Sequence, residues 1–446
     1  MVIGNPPYIK EYTDKSVFNG LRKSPYYQGK MDLWYLFTCS GLDILKENGS
    51  LCFIAPNNWT TNSGASKMRN KIIEDAKITK MLDFGSYMIF ESADIQTMVM
   101  LISKTKSNLE YKFDLRKIKA EKAQIENVLE LIENSKSINN DFLSPTILKE
   151  LWINKTLTFS SNEKDSILEK IKNKENFNLD EKKEVAQGIV PNPDIVSKKA
   201  LNLFNVNKQG KTSINVGDGV FVIDDKTEGF ENFEIQYLKP LFEPFQLVKF
   251  IVPQYSVKKL IYITKKNYRN NAENILKHLA KYKEIMVERR ENKTGQINFY
   301  HLHWPRNEYF FEKGAKILCV RKCVSEPIFS YTEDEAYVMM SINVIKTDKI
   351  NQKYLTAFLN SKLIAFWLKN KGKMQGNNYQ LDKEPLLQIP IFKPEEKVQE
   401  PIIFLVNEIL NKKKEGIDTS ELENEIDKLV YDLYGLNNDE IRIIEK

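Results

Sequence analysis

Cysteine and histidine are scarce in this chain, and long hydrophobic runs are missing. Four cysteines in 446 residues are too few for a disulfide framework, and neither their spacing nor the three histidines suit a zinc site, so no structural metal is expected. Polar residues or proline interrupt every apolar stretch, so no membrane span is predicted. The start has neither a basic leader nor an apolar signal segment, and we expect a cytoplasmic protein.

The positive charge is unevenly spread. The formal net charge is +6, and residues 239–300 alone contain 13 Lys and Arg against five Glu and no Asp. Most charge runs are solvated helix faces, but an excess of one sign also suits a surface that contacts phosphates. The candidate phosphate contacts in this window are Lys258, Lys259, Lys265, Lys266 and Arg269.

Strand and helix patterns divide the chain into four parts. Residues 1–104 alternate short apolar strands with amphipathic helices, which predicts an α/β fold with a mostly parallel sheet. Residues 105–186 are polar and show helical periodicity in places, and we interpret them as a helical connector. A mixed α/β domain is predicted for 187–393, and a helical C-terminal segment for 394–446.

The sharpest motif is Asn5-Pro6-Pro7-Tyr8, which follows the apolar Val2-Ile3. At average residue usage this tetrapeptide occurs by chance in roughly one chain in a thousand of this length. Its ordinary interpretation is an extended Pro-Pro loop after a strand. The four side chains also suit a different task, the activation of an aromatic amine.

The exocyclic amine of a base is a poor nucleophile because its lone pair is delocalised into the ring. Two acceptors on its N–H bonds, the side-chain oxygen of Asn5 and the carbonyl of Pro6, would localise that lone pair. Proline fixes φ and so holds its carbonyl in place, while Tyr8 offers a flat face for stacking. The methyl group then moves directly from a sulfonium donor to nitrogen, with the rate coming from positioning and preorganised dipoles.

This tetrapeptide resembles the catalytic motif of the methyltransferases that modify adenine N6 or cytosine N4. The segments 32–37, 49–57, 83–97 and 295–306 resemble blocks of the type IIG restriction–modification enzymes, and the likeness covers nearly the whole chain. It implies half of a Rossmann-like methyltransferase domain in 1–104, followed by a DNA target-recognition domain in 187–393.

The resemblance also implies roles for single residues. Phe90 would face Tyr8 across a flipped adenine, and Phe37 would contact the adenine of the cofactor; without the likeness, both are most simply core residues. Arg306 and Arg321 become candidates for reading base edges. The implied cofactor is S-adenosylmethionine, the implied partner is double-stranded DNA, and the implied reaction is adenine-N6 methylation in a restriction–modification system.

One part of the family pattern is missing. Such enzymes carry an Asp-x-x-x-Gly-x-Gly loop before the catalytic motif, and glycine is sparse here. Asp83-Phe84-Gly85 has one glycine and belongs to another block. We therefore expect that a missing N-terminal methyltransferase half acts in cis or in trans, and that the isolated chain is inactive.

Two other functions stay open. A DNA sequence-specificity module without activity of its own is favoured by the missing glycine loop. A glutamine or RNA amino-methyltransferase can also use this tetrapeptide, but such enzymes are compact and lack a downstream domain of this size. A restriction nuclease in the same protein or in a partner is compatible with the family, although no convincing nuclease motif is found in this sequence.

Overall fold

The computed structural model describes residues 1–90, 95–105, 110–120, 122–159, 162–175, 177–201, 214–375 and 378–445. The chain forms two compact units. The first comprises residues 1–169 with 373–377, and the second comprises 170–372 with 378–446. Each unit is described by itself below.

The elements that begin before residue 170 follow one another in this order: β1 (Val2–Gly4), α1 (Leu33–Ile44), β2 (Ser50–Pro56), α2 (Ser66–Asp75), β3 (Lys77–Asp83), β4 (Thr97–Ser103), β5 (Glu110–Lys112), β6 (Asp114–Ile118), α3 (Ile125–Glu133), β7 (Asn140–Leu143), β8 (Thr146–Leu148), α4 (Lys149–Trp152) and α5 (Asn162–Asn173). The strands and helices predicted up to residue 104 are all confirmed, with ends that shift by a few residues.

In the first unit, a six-stranded sheet has the order β1-β2-β4-β3-β6-β7. β1 and β2 are parallel, as are β3 and β6, whereas β4 runs antiparallel to both β2 and β3, and β7 runs antiparallel to β6. The expectation of a mostly parallel sheet is therefore wrong. No helix is described between β3 and β4, and a parallel neighbour needs a longer crossover connection, usually a helix.

Residues 105–186 differ from the predicted helical connector. β6 and β7 extend the sheet of the first unit, and the buried Val128 and Leu131 of α3 pack in a small core with Phe84 and Ile118. Helices α3 and α5 do lie where the sequence shows helical periodicity. The strands β5, β6 and β7 are short and carry several charged residues, so they lack the alternation that reveals a strand in a sequence.

Helix α1 is buried almost all round, because apolar residues occupy most of its positions. Trp34 and Tyr35 are fully buried against the rest of the core. Gly41 allows the helix to approach the sheet closely, since a Cβ there would lie 2.7 Å from Cδ1 of Leu51. Phe37 is an exception, with 47% of its surface exposed, so it is not the core residue that its type alone suggests.

The elements that begin after residue 170 are β9 (Val185–Gln187), α6 (Lys198–Leu201), β10 (Val222–Ile223), β11 (Leu238–Phe242), β12 (Phe250–Ile251), β13 (Lys258–Ile261), α7 (Glu273–Ala280), α8 (Lys283–Val287), α9 (Arg290–Lys293), β14 (Lys316–Val320), β15 (Lys322–Cys323), β16 (Phe329–Thr332), β17 (Tyr337–Val338), β18 (Ile342–Ile345), α10 (Gln352–Asn360), α11 (Lys362–Lys371), β19 (Met374–Gln375), β20 (Asn378–Gln380), α12 (Lys383–Leu387), α13 (Glu396–Lys414), α14 (Ser420–Leu433) and α15 (Asn438–Ile444).

The second unit is built on two larger sheets and a set of C-terminal helices. One sheet has the order β12-β16-β14-β18-β9 and the other the order β10-β13-β11-β17. Helices α10, α11, α13 and α14 contact one another. The buried Asp427 of α14 accepts a hydrogen bond from the backbone N–H of Lys362, at the start of α11. This arrangement confirms the predicted mixed α/β region with helices after it.

The described residues show neither a membrane-spanning helix nor a cluster of metal-binding side chains. Among the described helices, none is both long and apolar enough to cross a membrane. The described residues contain no group of three or more His, Cys, Asp or Glu side chains that could hold a metal ion.

Candidate functional site

The candidate catalytic loop leaves the sheet at the carboxyl end of β1. Since β1 is parallel to β2, with Gly4 opposite Phe53, both strands run towards the same edge of the sheet. Ligands of open α/β sheets bind outside the carboxyl ends of the strands. The loop Asn5-Pro6-Pro7-Tyr8 lies at this edge, with Asn5 exposed and Tyr8 half-buried.

The hydroxyl group of Tyr8 orients the side chain of Asn5. Its oxygen lies 2.6 Å from Oδ1 of Asn5 and 2.8 Å from the carbonyl oxygen of Ile54. Burial, and then the negative charge of Asp32, raise the pKa of Tyr8 to about 12, so the hydroxyl keeps its proton at neutral pH. An amide oxygen has two lone pairs, so Oδ1 of Asn5 can accept a second hydrogen bond from a ligand.

The structure brings Phe90 next to Tyr8. The ring centroids are 6.4 Å apart, and the ring planes are inclined by 62°. A base stacked between two rings needs roughly 3.5 Å on each side, or about 7 Å between parallel rings. The separation of the two centroids is close to this value, although the rings are not parallel.

A short turn holds the segment that leads to Phe90. Oδ1 of the buried Asp83 accepts hydrogen bonds from Nδ2 of Asn57 at 3.0 Å and from the backbone N–H of Gly85 at 3.1 Å. Gly85 has φ of +57°, and a Cβ there would lie 2.3 Å from the carbonyl oxygen of Ile118, so only glycine fits. The later part of this block, residues 91–94, lies outside the described residues.

Asp32 is a residue of this site that the sequence analysis did not single out. It precedes α1 and is 4% exposed, and its Oδ1 has no hydrogen-bond partner among the described residues. Burial raises its pKa to about 6, although backbone N–H groups, first that of Trp34, oppose the shift. The sequence offered one signal, because Asp32 opens the block at 32–37 that follows the catalytic motif.

In the second unit, the predicted phosphate contacts fall into two groups. Lys258 and Lys259 lie on β13 and are half-buried, and Nζ of Lys258 is 3.1 Å from a carboxylate oxygen of Glu243. Lys265, Lys266 and Arg269 are exposed in the turn after β13, and no ion pair is found for these three within the described residues. We call residues 264–269 the basic turn.

An aromatic loop, residues 298–306, lies beside the basic turn. Tyr268 of the turn contacts Tyr300, with ring centroids 5.1 Å apart, and the backbone N–H of Leu302 donates to the carbonyl of Ile263. Lys265 also lowers the pKa of the buried His301, although burial is the larger cause. The two segments therefore form one surface that combines exposed cations with aromatic rings.

The buried Arg289 holds this aromatic loop from inside. Its guanidinium donates to the carbonyl oxygens of Asn192, Met286, Asn298, Phe299 and His301, at 2.6 to 3.4 Å. Burial lowers its pKa to about 10, so it remains charged at neutral pH. Sequence reasoning missed Arg289, because nothing in the basic window distinguishes one cation from another.

The two arginines predicted to read bases are held differently. Arg321 forms an ion pair with Asp382 and donates to the carbonyl of Met340 at 2.7 Å. Arg306 is exposed, and its guanidinium lies over the ring of Trp304, 5.7 Å from the centroid. Gln187 lies between them, since it contacts both Arg306 and the carbonyl of Met340.

Comparison with known families matches both regions. Residues 1–90 match the Eco57I restriction-modification methylase model, and residues 254–391 match the TaqI-like C-terminal specificity domain. The first range contains the candidate catalytic loop and Phe90, and the second contains the basic turn and the aromatic loop. A methylase segment followed by a specificity domain defines the class of restriction-modification methyltransferases.

Individual proteins agree with this class. The chain is 23% identical over 460 residues to the type II methyltransferase M.HincII of Haemophilus influenzae, covering 96% of this chain and 82% of that protein. It is 29% identical over 111 residues to the type II restriction enzyme and methyltransferase RM.Eco57I of Escherichia coli, covering 23% of this chain and 11% of that protein.

Among solved structures, the chain is similar to the type IIL restriction-modification enzyme MmeI, determined in complex with DNA. The TM-score is 0.65 at 13% identity, over 99% of this chain and 55% of that one. The chain thus spans about half the length of this solved structure. The likeness confirms the predicted fold class, a partial Rossmann-like sheet followed by a mixed α/β domain and C-terminal helices.

S-adenosylmethionine is the cofactor that this class implies, and the residues of this chain suit only the adenine end of it. Phe37 presents an exposed ring on α1, which suits stacking on a nucleoside base. A glycine-rich loop that would cradle the rest of the cofactor is not found in the sequence.

The buried carboxyl group of Asp32 predicts a pH-dependent stability. An unfolded aspartate ionises near pH 4 and the folded one near pH 6, so folding stability falls as the pH rises through this interval and then levels off. Asp32→Asn removes the charge and keeps the shape of the side chain. We expect the variant to be more stable at pH 7.5 by up to about 3 kcal/mol.

Urea unfolding of both proteins between pH 4.5 and 7.5 measures this effect. The advantage of Asp32→Asn should shrink as the pH falls. A difference that stays constant over this range would contradict a raised pKa of the buried Asp32 carboxyl group.

The second prediction concerns Arg289. Arg289→Leu leaves several buried carbonyl oxygens without a donor, at about 1–3 kcal/mol for each unsatisfied group, so we expect a loss of at least about 3 kcal/mol of stability. Arg290→Ala is the matched control, because Arg290 is the adjacent exposed arginine. Thermal melting with circular dichroism compares the two, and equal melting temperatures would refute the role of Arg289 as the support of the loop.

Proposed function

We propose that this chain supplies the catalytic loop and the DNA-recognition domain of an adenine-N6 DNA methyltransferase in a restriction–modification system, with S-adenosylmethionine as its cofactor. One observation carries the proposal. Asn5, Tyr8 and Phe90 meet at the carboxyl end of β1, inside the range that matches a restriction-modification methylase.

The geometry suits a base that has left the duplex. A base inside a helix is inaccessible, so enzymes of this kind flip the target nucleotide into a pocket. Rotation about its Cβ–Cγ bond would let Tyr8 turn its face towards the base. The hydroxyl oxygen lies on that axis, so it stays within hydrogen-bond distance of Asn5 and Ile54, to either of which its single proton can be donated. Base entry thus leaves Asn5 oriented.

Asn5 and Pro6 then act on the amine. Oδ1 of Asn5 uses its free lone pair to accept one N–H, and the carbonyl of Pro6 accepts the other, so electron density collects on the nitrogen. Because these acceptors are fixed before the reaction, they stabilise the transition state without reorganising. The cofactor, when bound, supplies the methyl group.

A partner half is proposed to join the sheet at β1. In the described part of the chain β1 pairs only with β2, so its other edge is open. Gly41 of α1 faces Val2 of β1, and the exposed Phe37 and Ile44 project about 40–60° away from it around the helix. Ile3, on the opposite face of β1, is 71% exposed. A strand with flanking helices would cover both faces.

A binding module that recognises DNA while another chain does the chemistry is the second candidate. The missing glycine loop favours it for this chain alone. The two candidates differ in reconstitution. Only a methyltransferase gains activity when a half that carries the cofactor loop is added, and only then does Asn5 matter.

The third prediction is therefore tested by reconstitution. The chain alone should transfer no methyl group to DNA, whereas the chain co-expressed with the N-terminal half of a similar type II methyltransferase should do so. In that complex, Asn5→Ala should lower turnover by orders of magnitude with little change in DNA affinity, since the bond acts mainly in the transition state.

Tyr8 variants provide the matched series for this assay. Tyr8→Ala removes base stacking, about 1–3 kcal/mol, whereas Tyr8→Phe keeps the ring and loses only the hydrogen bonding of the hydroxyl group to Asn5 and Ile54, about 1 kcal/mol. Activity measured by radiolabelled methyl transfer should decrease in the order wild type, Phe, Ala. Near-normal turnover of Asn5→Ala would show that the tetrapeptide is only a loop.

The fourth prediction concerns the basic turn and needs no second half. Replacement of Lys265, Lys266 and Arg269 by alanine should weaken binding to all duplexes alike. It should also reduce the slope of log affinity against log salt by about 0.9 for each phosphate that the variant no longer neutralises. The matched control is Lys281→Ala with Lys293→Ala, because these exposed lysines are already paired with glutamates.

Fluorescence anisotropy with labelled duplexes at several salt concentrations gives both quantities. A chain that binds no DNA at low salt would refute the proposed recognition domain. An equal loss in the control pair would show that overall charge, and not the basic turn, determines binding.

A further inference from the structure

Arg306 differs from the other arginine predicted to read bases in how it is held. Arg321 is paired with Asp382, so its charge is already neutralised. Arg306 is exposed, and the described part of the chain contains no carboxylate within ion-pair distance of it. A guanidinium that meets solvent without a counter-charge is free to bind an acceptor from outside.

The backbone at Arg306 is strained. Its φ is +64°, a left-handed conformation that glycine adopts freely and that a bulky side chain adopts only at a cost. Strain of this kind persists where the surroundings enforce it, and it concentrates at functional sites. Glycine would adopt this backbone conformation with less strain. The presence of arginine at this position therefore indicates that its side chain has a function.

The guanidinium of Arg306 is oriented by the protein, but only some of its N–H groups are hydrogen-bonded. Nε donates to the carbonyl of Gly188 at 3.3 Å, and Nη2 donates to Oε1 of Gln187 at 3.5 Å, both at the long end of hydrogen bonding. Nε2 of Gln187 donates in turn to the carbonyl of Met340 at 3.2 Å. A guanidinium has five N–H groups, and in the described residues the others meet no protein acceptor. The ring of Trp304 supports its face.

We propose that Arg306 reads one guanine through the major groove of the target duplex, and that Gln187 is a positioning residue that orients the guanidinium. The inference rests on the proposed function, because it deepens the assignment of this domain to DNA recognition. Guanine presents O6 and N7 side by side, and two parallel N–H groups of the planar guanidinium match both acceptors at once.

Selection from a randomised duplex pool tests the inference with the full chain, because the target sequence is unknown. Wild type, Arg306→Gly, Gln187→Glu and, as a control, Arg442→Ala are each incubated with the pool, and bound DNA is sequenced. Arg306→Gly relieves the backbone strain and should melt no lower than wild type. Gln187→Glu places a carboxylate beside Arg306. The carboxylate should neutralise the guanidinium and prevent it from binding a base, while leaving the arginine side chain in place.

We expect wild type to enrich a motif with an invariant guanine. Arg306→Gly and Gln187→Glu should lose the preference at that single position, by about 10- to 100-fold, and keep the others. Replacement of this guanine by 7-deazaguanine, which lacks N7, should weaken wild type but not Arg306→Gly. Arg442→Ala should behave as wild type, because Arg442 lies at the far end of the chain and pairs with Asp439.

Three results would overturn the inference in distinguishable ways. A motif that is unchanged in Arg306→Gly would refute base reading by Arg306 and leave the proposed function intact. Uniform weakening at every position, with a smaller salt slope, would make Arg306 a phosphate contact. A wild type that binds no duplex at low salt would refute the proposed function itself, and the inference with it.

Discussion

The parallel pairing of β1 with β2 is the constraint on which the candidate catalytic site depends. Only three residues of β1 take part, from Val2 to Gly4. Because the strands share a direction, the tetrapeptide after β1 emerges beside the end of β2, where the carbonyl of Ile54 can accept from Tyr8. The antiparallel β4 then lies between β2 and β3, and the turn after β3 leads towards Phe90. Each ring of the aromatic pair is thus positioned by a different strand end, which allows the pair to form without a covalent or metal link.

Burial separates the charges that build the second unit from those that remain available to a partner. Arg289 is buried, and the free-energy cost of removing its charge from water is offset by hydrogen bonds to carbonyl oxygens of the aromatic loop. Lys258, Lys281 and Lys293 are matched by glutamates. The exposed cations of the basic turn and Arg306 have no ion pair within the described part of the chain, and they flank a surface of aromatic rings. The candidate phosphate contacts are therefore fewer than the lysines and arginines of the window.

Features that depend on adjacent residues could be predicted from the sequence, whereas features that depend on contacts between distant residues could not. Asn5–Tyr8 was recognisable because its chemistry resides in adjacent residues, and β2 because six consecutive apolar residues, 51–56, follow Ser50. The strands β6 and β7 were missed because their burial comes from neighbouring strands and α3, which a local pattern does not reveal. Arg289 was missed for a similar reason. Its role depends on carbonyls contributed by residues up to 97 positions away, and only folding brings them together. Asp32 and Gln187 likewise acquire their importance from burial and from non-local contacts.

The edge of β1 that is open in the described part of the chain would limit how the proposed partner half associates. Natural edge strands are often protected by being short, and β1 has only three residues before the loop that contains Pro6 and Pro7. Backbone pairing along so short an edge supplies few hydrogen bonds, each of small net value. Most of the association energy must then come from apolar contact on the two faces of the strand, at Ile3 on one side and at Phe37 and Ile44 on the other. Phe37 would serve both purposes, since the surface that closes the sheet is also the one where a nucleoside could stack. Cofactor binding and assembly of the two halves are therefore coupled in the proposed enzyme, because each buries the same ring.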